Sequence, residues 1–409
     1  MSTVDRASRA SWVTMLFCFL AALCEGFDVQ TAGVAAVGIR HELHPVAGQL
    51  GLFFSASNVG LMLGALVGGR LADRLGRKTV LVASIAAFGV FSLITSFAWN
   101  MQSLTWMRVL TGLGLGGAMP NLIVLATELS RASARNASIA TTYIGMPLGG
   151  ALASLIVALS PVEHWRWVFV SGGVVPLVIA AAMAGLMPES AALRRAGREP
   201  DMTPTRNSFL RDLFGGERLR GTLVLWSGFF LLGLTLHLML NWLPLLLQGR
   251  GLSKTAAAFA QVGFNGGGAG VALLIGILLD SPWRRAGIAV TAAALPVILL
   301  SLANAMAGNA MMFGLALLLG GAILSGQVIL YGAAGTLYPV AVRGTGTGAA
   351  VSLGRVGAIV GPGLAALLIG AGRTPSQVLT GILPIVVVCG VCVAGLGWRH
   401  SENELVRAS

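Results

Sequence analysis

Residues 69–78 read Gly-Arg-Leu-Ala-Asp-Arg-Leu-Gly-Arg-Lys, and residues 276–285 read Gly-Ile-Leu-Leu-Asp-Ser-Pro-Trp-Arg-Arg. Each run starts on a glycine at the end of a long apolar stretch, places an acid four residues later (Asp73, Asp280) and ends in two basic residues. Working outward, apolar stretches fall at 12–37, 49–71, 79–99, 103–127, 137–161 and 165–187. Six more follow at 221–247, 255–279, 286–307, 309–336, 345–371 and 376–398. The charged runs therefore follow the second and the eighth stretch, the same place in each set of six. Such a repeat predicts two halves related by an axis along the membrane normal. The expected fold is an all-α membrane protein of twelve transmembrane helices. It has a six-helix bundle at 1–187, a cytoplasmic central loop at 188–220, and a second bundle with a short cytoplasmic tail at 221–409.

Composition agrees. Of 409 residues, 56% are hydrophobic and only 10% charged, with 56 glycines, whereas soluble domains carry about 25% charged residues. A span needs about 20 apolar residues, so twelve take up roughly 240. A cytosolic enzyme, a disordered chain and a secreted disulfide scaffold are excluded. Cys18, Cys24, Cys389 and Cys392 all lie in apolar stretches and read as small buried hydrophobes. The Cys389–Cys392 pair has no second pair or histidine cluster to complete a zinc site, so neither metal nor cofactor is expected. The first stretch is longer than the core of a cleavable signal and holds two acids, so it is read as a true span.

The net charge of +12 reflects topology. Twenty of the 27 Lys and Arg fall on the side that holds both termini and the central loop, five fall on the other, and Arg108 and Arg355 lie inside spans. The positive-inside rule then puts both termini in the cytoplasm of a cell with this chain in its inner membrane. No basic face is interleaved with aromatics, so lipid is expected as a partner and nucleic acid is not. A monomer is expected.

The run Gly69 to Lys78 resembles the signature loop of the major facilitator superfamily, G-x-L-a-D-r-x-G-r-r, and Asp280 holds the place of Asp73 in its second copy. The resemblance extends through Arg108 with Gly112, Gly114 and Gly116, Trp165-Arg166, Pro188-Glu189-Ser190, Glu128 with Arg135, and Tyr338-Pro339 with Arg343-Gly344. It implies conformational or gating roles for Gly69, Asp73, Arg74, Arg77, Glu128, Arg135, Asp280 and Arg343. Within the superfamily, Cys24-Glu25-Gly26-Phe27-Asp28 followed by Gly33 is similar to the D-G-x-D…G motif of the aromatic acid:proton symporters, with Glu25 in place of the first acid. Asn241-Trp242-Leu243-Pro244 and Gly354-Arg355 with Gly357, Gly361 and Pro362 fit the same family, and the whole looks most like the 3-(3-hydroxyphenyl)propionate permeases. The resemblance implies import of an aromatic carboxylate together with a proton, the substrate bound at the midplane between halves that rock around it.

The ionisable residues support that reading independently. A charge at mid-bilayer costs at least about 2.5–3.5 kcal/mol, so it normally marks a pathway or a pair. At about 1.5 Å per residue, Glu25 lies roughly 20 Å and Asp28 roughly 24 Å from the cytoplasmic face. Arg108, entering from outside, comes level with Asp28, and Arg355 falls near the midplane. Glu25 and Asp28 share a helix face, and two carboxylates in low dielectric cannot both ionise cheaply. They are expected to face a solute vestibule, with Asp28 carrying the coupled proton, Arg108 pairing with it and Glu25 tuning it. The alternative is a permanent structural Asp28–Arg108 bridge. Arg355 has no acid of its own half at its depth, so it either forks onto a substrate carboxylate or bridges to Glu25 or to backbone carbonyls. Phe27, Tyr143, Phe229, Phe230, Phe264 and Tyr331 are the ring-facing candidates; Asn58, Asn121, His237, Asn241, Asn265 and Gln327 are the hydrogen-bonding ones, with a gate or a second proton site as a further alternative for His237. Each of these has packing or helix–helix bonding as its alternative.

Other classes fare worse. Gly249-Arg-Gly251-Leu-Ser253-Lys254-Thr255 has serine where a phosphate-binding loop needs glycine before the lysine, and it follows a membrane helix. No metalloprotease or serine-hydrolase motif is present, so an enzyme is not expected. A carrier of hydroxybenzoate or another small organic acid is the nearer rival. So is an exporter or antiporter, since Tyr143-Ile-Gly145-Met-Pro147-Leu-Gly149-Gly150 resembles the antiporter motif G-P-x-x-G-G, with the proline displaced by one residue.

Overall fold

A bilayer core offers backbone N–H and C=O groups no partner, so an apolar stretch that crosses it satisfies them internally, as a helix. The computed structural model describes residues 3–118, 135–187, 215, 218–279, 281–305, 308–338 and 340–408, and the regular structure among them is entirely helical. The first six long helices are α1 (Thr3–Leu43), α2 (Ala47–Leu75), α3 (Arg77–Thr95), α4 (Met101–Gly116), α5 (Arg135–Leu159) and α6 (Arg166–Leu186). The next five are α7 (Arg218–Gln248), α8 (Lys254–Leu279), α9 (Arg284–Asn304), α10 (Asn309–Leu337) and α11 (Val340–Gly370), and α12 (Pro375–Gly381) runs into α13 (Leu383–Ala408). With α12 and α13 counted as one broken rod, these make the twelve expected helices. Ten described spans are long and apolar enough to cross a membrane, and the described part of α5 adds the shorter apolar run Ile144–Leu159.

Several helices overrun their apolar windows. Helix α1 starts at Thr3 and α11 at Val340, because hydropathy changes at the interface while backbone bonding continues. The last rod is broken at Ile382 instead of running unbroken over 376–398. Pro384 supplies the reason: it has no N–H to offer the carbonyl four residues back. Polar caps mark two helix starts. The Asn100 side chain accepts from Ser103 N at 2.7 Å, and Thr374 Oγ1 accepts from Gln377 N at 3.3 Å. Gly76 divides α2 from α3 at φ 94°, a conformation only glycine adopts freely, and its N–H closes on the Ala72 carbonyl at 3.0 Å. In the second copy of this loop Trp283 stands at φ −85°, where no glycine is needed.

The chain divides into two compact units, Met1–Pro200 and Asp201–Ser409. In the first, α1 packs chiefly on α5, α2 on α4 and α3 on α6. In the second, α7 packs on α11, α8 on α10 and α9 on α13. The same pairing recurs six helices later, as the repeated loop implies. Close approach at these crossings rests on small residues. Gly60 and Gly64 lie against the carbonyls of Val109 and Leu113 on α4, and Gly112 and Gly116 answer against those of Ser57 and Leu61 on α2. Gly149 of α5 lies on the Leu23 carbonyl of α1, and Gly357 of α11 on the Phe230 carbonyl of α7.

A methyl group at Gly149 overlaps backbone, so the helices must part, at a cost of about 1–3 kcal/mol for overpacking. Gly270 on α8 has nothing within 4 Å of a built Cβ. Gly149→Ala is therefore expected to lower the melting temperature and monodispersity of the purified protein in detergent, and Gly270→Ala to leave both unchanged.

Candidate functional site

The first site lies where α1, α2 and α4 meet. Arg108 Nη1 donates to Asp28 Oδ1, and Arg108 Nη2 to the Asp28 main-chain oxygen at 3.1 Å. Ser57 on α2 donates its hydroxyl to Asp28 Oδ2 at 3.2 Å. Both carboxyl oxygens thus have a hydrogen-bonding partner. Asp28 and Arg108 are each 1% exposed and Glu25, one turn below, is 2% exposed. The carboxylates are thus enclosed by the bundle instead of facing an open vestibule, which corrects the expectation from sequence. Gly112 is part of the cause: it brings the α2 backbone at Ser57 against α4 one turn from Arg108.

Phe27 also departs from expectation. It is 8% exposed, and its ring lies against Gly172 of α6 beside Ser92 of α3. Neighbouring helix residues point about 100° apart, so Asp28 turned toward α2 and α4 sends Phe27 toward α3 and α6. It belongs to the core of the first unit, not to a substrate wall.

The second site is built on α7, α10 and α11. Gly233 of α7 packs on the Gly354 backbone, which sets Arg355 beside α7. Arg355 is half-buried, and His237 lies one turn beyond Gly233 on α7. His237 Nδ1 is 3.1 Å from the Gly233 carbonyl, and Asn241, a further turn along, donates Nδ2 to the His237 carbonyl at 2.7 Å. Asn241 Oδ1 is enclosed and has no hydrogen-bond partner among the described residues. Phe229 lies close to Gly354 and meets Tyr331 of α10 edge to face, with ring centroids 5.0 Å apart and planes at 82°. Tyr331 is 37% exposed, and Gln327, one turn before it, is half-buried. Asn265 is buried on α8 and donates to the Gln261 carbonyl at 3.0 Å. Among the described residues no Asp or Glu forms an ion pair with Arg355.

Of the loop residues, Arg74 is exposed on the last turn of α2, where a cation complements the helix dipole, and Gly69 lies on the same helix. Asp73 (α2), Arg77 (α3), Arg135 and Tyr143 (α5) and Arg343 (α11) have helical backbone, but their side chains lie outside the described part. Glu128 and Asp280 lie outside it altogether. A cluster that the sequence did not reveal sits at the charge-poor end of the first unit. There Glu42 accepts from Trp165 Nε1 at 2.8 Å and from Arg166, which also caps the Ala98 carbonyl at 3.2 Å and stacks 4.3 Å from the Trp165 ring centroid. Ser57 was missed as well, because a lone serine in an apolar stretch carries no signal of its own.

Comparison with known proteins places this architecture. The Major Facilitator Superfamily pattern matches residues 18–362. The chain is 38% identical to the 3-(3-hydroxy-phenyl)propionate transporter of Escherichia coli over 406 residues, covering 99% of both chains. It is 32% identical to the 4-hydroxybenzoate transporter PcaK of Pseudomonas putida, covering 95% of this chain and 93% of that one. Among solved structures, a D-xylose-proton symporter superposes with a TM-score of 0.77 at 17% identity, over 94% of this chain and 97% of that one, which is likeness of fold. With the family pattern spanning most of the sequence and relatives matched end to end, the chain belongs to the Major Facilitator Superfamily, as a multi-pass membrane transporter and not an enzyme.

Proposed function

We propose that the protein imports an aromatic carboxylate together with a proton across the inner membrane, by alternating access and as a monomer with both termini in the cytoplasm. The observation that carries this reading is Arg355. A half-buried guanidinium in a membrane span that pairs with no acid among the described residues is a fork awaiting a carboxylate. The Phe229–Tyr331 pair, against the same stretch of α11, supplies aromatic surface for a ring. The relatives named for hydroxyphenylpropionate and hydroxybenzoate transport support this substrate class.

Proton coupling falls to the first unit. Asp28 is held between Arg108 and Ser57. A serine hydroxyl both donates and accepts, so Ser57 can serve Asp28 as a carboxylate and, by rotating, as a carboxylic acid. Protonation of Asp28 loosens its hold on Arg108, and Glu25 one turn below adds a second acid to the path. Because the pair is enclosed here, proton exchange requires the bundle to open, and that opening is the step coupled to substrate movement. The residues that suggested an antiporter motif carry no argument for export, because Gly145 and Gly149 are accounted for by packing on the Phe19 and Leu23 carbonyls of α1.

In cells or proteoliposomes, hydroxyphenylpropionates and hydroxybenzoates are expected to be taken up saturably, faster at pH 6 than at pH 8, and to alkalinise the outer medium. Aliphatic acids of similar size should compete weakly. Acidification on substrate addition would instead mean antiport. Arg355→Lys keeps the charge but loses the planar fork, and is expected to raise KM about tenfold, the factor that about 1.4 kcal/mol supplies, with surface expression unchanged. An unchanged KM removes Arg355 from the site.

A further inference from the structure

The proposed function accounts for a carboxylate and a ring but not for a ring hydroxyl, and helix α7 carries a group suited to one. His237 Nδ1 lies 3.1 Å from the Gly233 carbonyl. A carbonyl only accepts, so Nδ1 carries the proton, and in the neutral imidazole Nε2 is left as an acceptor. The imidazole is half-buried, whereas Asn241 is 2% exposed. Asn241 Oδ1, one turn further along, is also an acceptor without a partner among the described residues, but it is wholly enclosed. Of these two acceptor-bearing side chains His237 is the less buried.

We infer that His237 is a specificity-determining residue that accepts a hydrogen bond from the ring hydroxyl of a bound aromatic acid, while Arg355 holds the carboxylate. The inference rests on the proposed function. Arg355 alone binds any aromatic acid of suitable size. The imidazole adds a requirement for an O–H donor, because a ring without one leaves a buried acceptor unpaired.

Binding of three probes to the purified full-length protein tests this: 3-(3-hydroxyphenyl)propionate, 3-phenylpropionate, and the 3-methoxy analogue, which keeps the ring oxygen but cannot donate. The wild type is expected to bind the hydroxylated acid about tenfold more tightly than the other two, the ratio one net hydrogen bond supplies. His237→Phe is expected to bring the three within about threefold of each other. Wild-type protein that binds the methoxy or unsubstituted acid as tightly as the hydroxylated one overturns the role of His237 and leaves aromatic-acid transport standing. This arm holds even where the variant does not fold. A His237→Phe protein that folds and keeps the tenfold preference also overturns it. Wild-type protein that binds none of the three overturns both readings.

Discussion

A carboxylate and a guanidinium taken out of water and held against each other across α1 and α4 set the terms for the first half of the molecule. Each charge at mid-bilayer carries an insertion cost of at least about 2.5–3.5 kcal/mol, and removing one partner of a buried pair commonly costs about 3–5 kcal/mol because the other is stranded. Asp28 and Arg108 must therefore stay together, or part only when a proton neutralises the acid. Their meeting depends on packing that has no charge in it. Gly112 admits the α2 backbone at Ser57, and Ser57 then completes the coordination of Asp28. The glycine-lined crossings and the buried ion pair are one construction.

The two units share their helix pairing but not their charges. In the first, an arginine is matched by an acid, which suits a group that gains and loses a proton in place. In the second, an arginine on the helix that packs against the histidine's own meets no acid among the described residues, which suits an anion that arrives from outside the protein. A repeat that keeps its packing and lets its polar residues diverge fits the proposed division of proton and substrate between the two halves.

Much of this was legible in the sequence. Twelve apolar stretches become twelve rods because the bilayer permits no other hydrogen bonding, and counting residues at a helical rise was enough to set Asp28 level with Arg108. What failed was rotation about helix axes. Helix α1 is apolar nearly all round, so no polar face fixes its orientation, and only contacts with α2, α4 and α6 decide that Asp28 turns inward while Phe27 joins the core. Depth and burial of Glu25 and Asp28 followed from residue count, but their enclosure instead of a face on a vestibule did not, because enclosure depends on neighbours. The break at Ile382 could have been read from Pro384. The bond from Ser57 could not, since nothing distinguishes that serine from others on apolar helices.

The most direct test of the account is Asp28→Asn in proteoliposomes, an isosteric change that keeps hydrogen-bonding atoms beside Arg108 and Ser57 but cannot carry a proton. Exchange of labelled for unlabelled substrate at equal concentrations should persist, while accumulation driven by an inward proton gradient should vanish. Gradient-driven accumulation at the wild-type rate would contradict the account and leave the Asp28–Arg108 contact as a structural bridge.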